Sequence, residues 1–431
     1  MALHAGFAEA DITPAVGAHK IGWLKDIVST EVHDPLFARA AVFRTPQEQV
    51  AFVQLDTLFV AWPEVAAIRQ KVTRHYGFPG EHVMVAATHN HAGPAVTHAG
   101  DVPKDAAYAN WLVSRVVEAF GRALGDLDEA EVGWGRCFEW NVAHNRRVVM
   151  RDGTVRTHGT FADLNALCLE GPVDPELAVI AVRSTGSKLR GLVVNFACHP
   201  THYGGDTILS AGFPGVLAQE MKRRANEPVS DQGPVTLFLN GACGNLHTTD
   251  PRTGANPSQE QVGQTLARDV IGVLHEIQYR RDVRLGAASR VVELPYRVIT
   301  EDEVKGRTRG AQRFIDPAIY ERAIPALVRT VQERKTHRVE IQALALGATA
   351  IVSVPGEYFS EFGLWIKEHA YPMSALVATN ANGRVGYIPT RDAFSRGGYE
   401  TTFGPASMLA PEAGEQIAAT AVELIKSLEN V

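Results

Sequence analysis

Three short apolar runs in this chain each stop at a polar, ligand-capable group, and that recurrence limits the fold more than any other feature. Residues 83–88 (VMVAAT) run into His89-Asn90-His91, residues 192–197 (LVVNFA) into Cys198-His199-Pro200, and residues 235–239 (VTLFL) into Asn240-Gly241 and then Cys243-Gly244. Short continuous apolar runs bounded by turn signals are consistent with buried strands. In layered α/β folds the strand ends are where sites are commonly built, because a rigid sheet fixes the direction of the loop side chains.

The remaining pattern alternates in the same way. Residues 40–44 and 49–56 flank a turn containing Pro46-Gln47-Glu48 and predict a hairpin. Pro63 suits the first turn of a helix in which Val65, Ile68, Val72 and Tyr76 recur at helical spacing until Gly77. Residues 108–124 predict a second amphipathic helix, with Leu112, Val116, Phe120 and Ala123 on one side. Further on, the pattern predicts a strand at 177–182, helices at 215–224 and 261–277, a hairpin over 340–354 turning at Gly347, and a strand at 374–379. Residues 301–335 are charged and helical, and read as a lid or an outer layer. Without repeats, low-complexity tracts or Pro/Ser linkers, the expectation is one interwoven domain over 1–431, of class α/β, with a layered mixed β-sheet and flanking helices.

Composition narrows the partners. Hydrophobic residues are 45% and charged residues 21%, the mix of a globular chain with a sizeable core. Forty-two Lys plus Arg against 48 Asp plus Glu leave a net charge of −6, which argues against nucleic acid and stable membrane association and for a small-molecule substrate. Neither a secretory signal pattern nor a membrane-length apolar run is visible. The four cysteines, at 137, 168, 198 and 243, form no CxxC pair, so reduced thiols in the cytoplasm are expected. Nothing in the sequence specifies the oligomeric state.

Several groups can carry chemistry. His89 and His91 share a face if the extended backbone continues through them, and imidazole at a strand end is a rigid metal ligand. Satisfied structural histidines are the alternative. His199 ends a second strand, and zinc needs ligands brought together from separate elements. Cys198 and Cys243 are soft ligands or, more simply, small buried hydrophobes. The turn holding Gly244 and Asn245 allows close backbone approach, so amide groups there can bind a substrate, unless the turn is merely tight. Glu357 follows Val354-Pro355-Gly356 at an expected helix start, where a carboxylate also compensates the dipole. Tyr387, in Asn382-Gly383-Arg384-Val385-Gly386-Tyr387, reads by itself as a packing residue.

Together these pieces resemble the catalytic domain of the neutral (non-lysosomal) ceramidases and their bacterial relatives. The resemblance runs from Ala10-Asp11-Ile12-Thr13-Pro14 through Asp34 to Arg39, Leu55-Asp56, Thr88-His89-Asn90-His91-Ala92-Gly93-Pro94, His199-Pro200-Thr201 and Pro355-Gly356-Glu357. It ends at Tyr387 with Thr390 and the pair Tyr399-Glu400, and so spans most of the chain. It implies one catalytic zinc per chain held by His89, His199, Glu357 and Tyr387. It also implies that His91 and Tyr399 line the substrate site and that Arg146, in Asn145-Arg146-Arg147, helps to hold the substrate's polar head. Two departures accompany it. Where the ceramidases carry G-D-x-S-P with an essential serine, this chain reads Gly244-Asn245-Leu246-His247-Thr248, placing His247 at the serine position. The immunoglobulin-like C-terminal domain of the ceramidases does not follow, and the expectation is a relative acting on a smaller, soluble substrate.

The chemistry implied is hydrolysis of an amide, lactam or ester by metal-activated water. His91 or His247 is the expected proton shuttle, Tyr399 a donor to the developing oxyanion, and Arg146 or its neighbour Arg147 the partner of an anionic substrate group. Three other readings stand beside it: an amidohydrolase-type barrel, a metal-dependent phosphatase or sugar-processing lyase, and a non-catalytic protein that binds zinc or a ligand.

Overall fold

The computed structural model describes residues 2–224 and 233–429. A nine-stranded mixed sheet dominates it. In spatial order its main strands are Val235–Asn240, Leu189–Phe196, Glu176–Ser184, Asp128–Phe138, Leu3–Asp11, Phe37–Arg44, Gln49–Leu55 and Val83–Ala87, with Tyr279–Arg280 pairing to Asp128–Phe138. The two end pairs are parallel and the interior pairs antiparallel. A second, four-stranded sheet runs Leu285–Pro295, Thr336–Leu346, Thr349–Val354, Ser374–Thr379, its last pair again parallel.

The chain's own chemistry sets these elements. In the helix Trp62–Tyr76, Pro63 occupies the first turn, Val65, Ile68 and Val72 are buried, and Gly77 closes it at φ 66° with its amide on Thr73 O. The helix Ala106–Gly125 starts on Asp105, whose carboxylate accepts the Tyr108 amide at 2.8 Å. These two helices cover one stretch of the large sheet, while Gly212–Arg224 and Gln259–Glu276 cover another. On its inner face Phe52, Met84 and Ala86 pack with Leu237, Leu239, Leu344 and Ile351 in one cluster. The large sheet is therefore curled, so that its two parallel ends meet each other and the smaller sheet. Among the described residues no helix is long and apolar enough to cross a membrane.

The meeting of strand ends is fixed by buried amide side chains. Asn240 Nδ2 donates to Thr88 O at 3.1 Å, and its Oδ1 accepts the Cys198 amide at 3.3 Å. Asn195 Nδ2 donates to Leu239 O and Val377 O, and Thr379 Oγ1 to Asn240 O and Gly241 O. Asn382 exchanges bonds with Val85 through its Oδ1 and its own amide, at 2.9 and 2.8 Å. Carbonyls and amides exposed where strands stop are thus satisfied by side chains from neighbouring strand ends, as buried polar groups must be.

Two local expectations change. The strand before His89 ends at Ala87, and His89 itself adopts φ 66°, so His89 and His91 belong to a turn and not to a continuing strand. Glu357 lies in the two-residue strand Glu357–Tyr358, and the helix begins only at Ser360. Replacing Asn240 with Ala leaves Thr88 O and Cys198 N unpaired in the interior, and should lower stability by about 2–4 kcal/mol, read as a reduced urea midpoint. An unchanged midpoint would contradict the clamp.

Candidate metal centre

Each element delivers one side chain to a single point. His89 leaves the end of Val83–Ala87, His199 follows Leu189–Phe196, and Glu357 pairs in parallel register with Tyr387 across the bridge between Glu357–Tyr358 and Tyr387–Ile388. His89 Nε2 lies 3.0 Å from His199 Nε2 and 3.2 Å from Glu357 Oε2; His199 Nε2 lies 3.3 Å from the same oxygen. All three residues are buried. The other nitrogen of each ring faces a backbone carbonyl, His89 Nδ1 to Leu58 O at 3.1 Å and His199 Nδ1 to Cys243 O at 2.8 Å. A carbonyl only accepts, so Nδ1 carries the proton and Nε2 keeps its lone pair.

His91 borders the group. Its Nδ1 donates to Gly22 O at 2.7 Å, while its buried Nε2 has no partner among the described residues. Ligand atoms of His89, His91 and His199 all lie within 4.8 Å of one another. Gly22 makes this packing possible, since a Cβ there would stand 1.8 Å from His91 O. Convergent lone pairs and a carboxylate oxygen repel one another unless a cation lies between them. The donor set of imidazole nitrogens with one carboxylate suits zinc. Burial alone would raise the Glu357 carboxyl, but the adjoining His89 and His199 outweigh it and hold Glu357 well below the usual carboxylate range.

Tyr387 lies beside this point. Its ring is stacked with that of His199, at 18° between planes, and its hydroxyl accepts from Arg146 Nη2 at 3.0 Å. Arg146 also donates from Nε to Glu400 at 2.9 Å and from Nη2 to Gly244 O at 2.8 Å. Arg147 points inward as well, donating to Glu400, Glu170 and Gly397 O. Burial would raise the Glu400 carboxyl, yet the two guanidiniums and the Thr157 hydroxyl bring it down to about 2. Arg146, expected to hold the substrate's polar head, thus lines the cavity with its charge matched by Glu400.

His247 sits on the cavity wall in a fixed tautomer. Its Nδ1 accepts the Thr249 amide at 2.9 Å, so the ring proton is on Nε2 and is donated to Thr201 Oγ1 at 2.8 Å. Burial and the neighbouring His158 and Arg146 push its pKa well below the imidazole norm. A neutral ring whose lone pair is already occupied is poorly suited to shuttle protons. Asn245, a sequence candidate for substrate binding, is turned away from the cavity: its amide accepts from Ser360 N and donates to Glu361. Gly244 also turns its amide elsewhere, to Tyr358 O, and a Cβ there would meet Glu357 O at 2.4 Å. Its part is to let Glu357 approach. Cys198 and Cys243 are buried free thiols outside the cluster.

The point where these side chains converge opens into a cavity of about 470 Å³. Tyr399 lines it, packed edge-on to Tyr387 at 5.6 Å and against Phe314. Sequence reasoning missed His158 and Arg384 in its wall. His158 stands in a left-handed turn at φ 55° with its ring against His247, and only the backbone conformation turns it inward. A larger recess of about 830 Å³ adjoins through His158 and Phe314, which line both, but it holds none of the converging ligands.

The sequence matches the family model described as neutral/alkaline non-lysosomal ceramidase, N-terminal, over residues 3–262. No curated protein matches it. Among solved structures the fold is similar to that of neutral ceramidase from Pseudomonas aeruginosa, with TM-score 0.77 and 17% identity over 100% of this chain and 75% of that one. It is also similar to a structure described as ceramidase complexed with C2, with TM-score 0.78 and 16% identity over 100% of this chain and 76% of that one.

The Glu400 pair generates a test. Its depressed pKa means that the stabilisation is complete above the unfolded value near 4.5 and is lost as pH falls towards about 2. Glu400→Gln should cost about 3–5 kcal/mol at pH 7 by leaving the buried Arg146 guanidinium uncompensated, Arg147 keeping Glu170, and should flatten the loss of stability between those pH values. Urea midpoints at pH 7, 5 and 3.5 read both effects. A variant as stable as the parent at pH 7 would refute the arrangement.

Proposed function

Because the chain belongs to the neutral/alkaline non-lysosomal ceramidase family, we propose that it is a zinc-dependent hydrolase that cleaves an amide bond of a small substrate held in the cavity of about 470 Å³. The family and its fold support a hydrolase; zinc and the amide substrate are our reading. One observation carries it: imidazole lone pairs from two separate strand ends and one carboxylate oxygen meet within 3.3 Å, each ring already oriented by a backbone carbonyl.

When bound, zinc supplies Lewis-acid polarisation and makes a nucleophile of water at neutral pH. His89 and His199 would hold it through Nε2 and Glu357 through Oε2, and Tyr387, braced by Arg146, stands beside them. His91 keeps a free Nε2 next to this point and takes the proton from the attacking water. As the carbon–oxygen bond forms and the carbon–nitrogen bond breaks, the same nitrogen returns that proton to the leaving amine. Thr201 accepts from His247 Nε2, so its own hydroxyl proton is free to donate into the cavity. Tyr399 is the second donor available to the carbonyl oxygen as negative charge develops there. His247, at the position where the family resemblance places a serine, acts by aiming Thr201.

Two variants separate holding from proton transfer. His89→Ala should lose zinc and all turnover across a panel of N-acyl substrates. His91→Ala should keep about one zinc per chain while kcat falls by about 10²–10⁴. Full activity in metal-free His89→Ala, or turnover confined to phosphate esters, would overturn the reading; loss of zinc from His91→Ala would move His91 into the ligand set.

A further inference from the structure

Two arginines line the cavity, and their situations are opposite; Arg384 stands where this cavity borders two further recesses of about 530 and 540 Å³, which it also lines. Arg146 is neutralised by Glu400 and directs its donors at Gly244 O and Tyr387. Arg384 is half-buried and has no carboxylate within ion-pairing distance among the described residues. Its Nη1 donates to His98 O at 2.9 Å, and its guanidinium carbon lies 4.2 Å from the centre of the Phe59 ring. The Phe59 ring in turn packs 5.3 Å from the ring of His89. Phe59 thus sits between the unmatched charge and the metal point.

The anchor on His98 decides what is left over. With Nη1 engaged and the planar group held on Phe59, the Nε and Nη2 edge of Arg384 has no hydrogen-bond partner among the described residues. That edge presents two parallel N–H donors, the geometry that matches the two oxygens of a carboxylate. Burial draws the guanidinium down to about 10, against the pull of Glu357 and Tyr399, so an added anion relieves a charge the wall leaves uncompensated. One part of the wall is apolar: Ile21, Leu24, Leu58, Phe314 and Ile315 offer a hydrocarbon surface beside the polar residues already named.

We propose that Arg384 is a specificity residue, and that the cavity takes an amide whose hydrocarbon part lies on this apolar wall and whose carboxylate is gripped by the Nε/Nη2 edge of Arg384. The proposal deepens the hydrolase reading of the same cavity and names its substrate class. It also moves anion recognition from Arg146, where the sequence suggests it, to Arg384.

The test uses the zinc-loaded full chain and two ligand pairs that differ only at the anionic group. N-hexanoylglycine and N-hexanoylglycinamide report turnover; octanoate and 1-octanol, which cannot be hydrolysed, report binding by calorimetry. The wild-type chain should favour the carboxylate member of each pair by about thirty-fold or more, in KM for turnover and in Kd for binding. In Arg384→Met both ratios should fall towards one, and in Arg384→Lys, which offers a point charge without a fork, they should fall part of the way. Comparing variants in the same zinc state cancels any direct contact between carboxylate and metal. Where Arg384→Met fails to fold, Arg384→Gln replaces it.

A carboxylate preference in binding that disappears with Arg384, in a protein that hydrolyses neither amide, sinks the hydrolase reading and leaves the anion site standing. Equal affinity of the wild type for both members of the binding pair, no binding of octanoate, or a preference that survives in Arg384→Met overturns the proposal.

Discussion

Imidazole lone pairs from His89 and His199 face each other across 3.0 Å at buried positions, with a carboxylate oxygen beside both. With both rings neutral, such a cluster has no hydrogen bond to make within itself. The ring protons are committed to Leu58 O and Cys243 O, so neither Nε2 has a proton to give the other. Protonating a ring adds charge where burial disfavours it, and the His199 pKa is accordingly lowered to about 4 by burial, Arg146 and His89. A cation shared by the acceptors would remove the conflict, and much of the surrounding architecture serves to keep the acceptors in place.

That task falls to strand ends and the short turns that leave them. Curling the large sheet brings two distant parallel pairs together, and the smaller sheet adds a third. Asn240, Asn195, Thr379 and Asn382 then tie backbone groups of one strand end to those of another. Each bond has modest worth, but a buried amide left unpaired is costly, so the set behaves as a unit. Around it the charges are arranged in layers: Arg146 braces Tyr387, Glu400 neutralises Arg146 and Arg147, and Thr157 supports Glu400. Arg384 alone of the cavity cations lies outside this network.

The runs that carry the centre were legible in the sequence because buried apolar strands ending in histidine stand out locally, and the order of motifs linked them to Glu357 and Tyr387. Side-chain direction was less legible. Period-two reasoning placed His89 and His91 on one face of a strand, whereas a left-handed His89 turns both rings inward by another route. Arg146, Asn245 and His247 sit in the right segments, yet their partners, Glu400, Glu361 and Thr249, decide what they can do, and a linear pattern does not contain those partners. The strands Leu3–Asp11 and Asp128–Phe138 gave no clear signal, since alanine and glycine occupy positions where β-branched residues usually mark a strand. At Gly133 and Gly135 the reason is close packing: a Cβ would strike Ile277 or Val273 at 2.1 and 2.5 Å.

The most direct test of the central claim is anomalous scattering from crystals of the zinc-loaded chain, recorded on both sides of the zinc edge. One strong peak is expected within bonding distance of His89 Nε2, His199 Nε2 and Glu357 Oε2, with both Nδ1 atoms still on their carbonyls. A zinc-loaded crystal with no peak at that point, or with its peak on other side chains, would contradict the account.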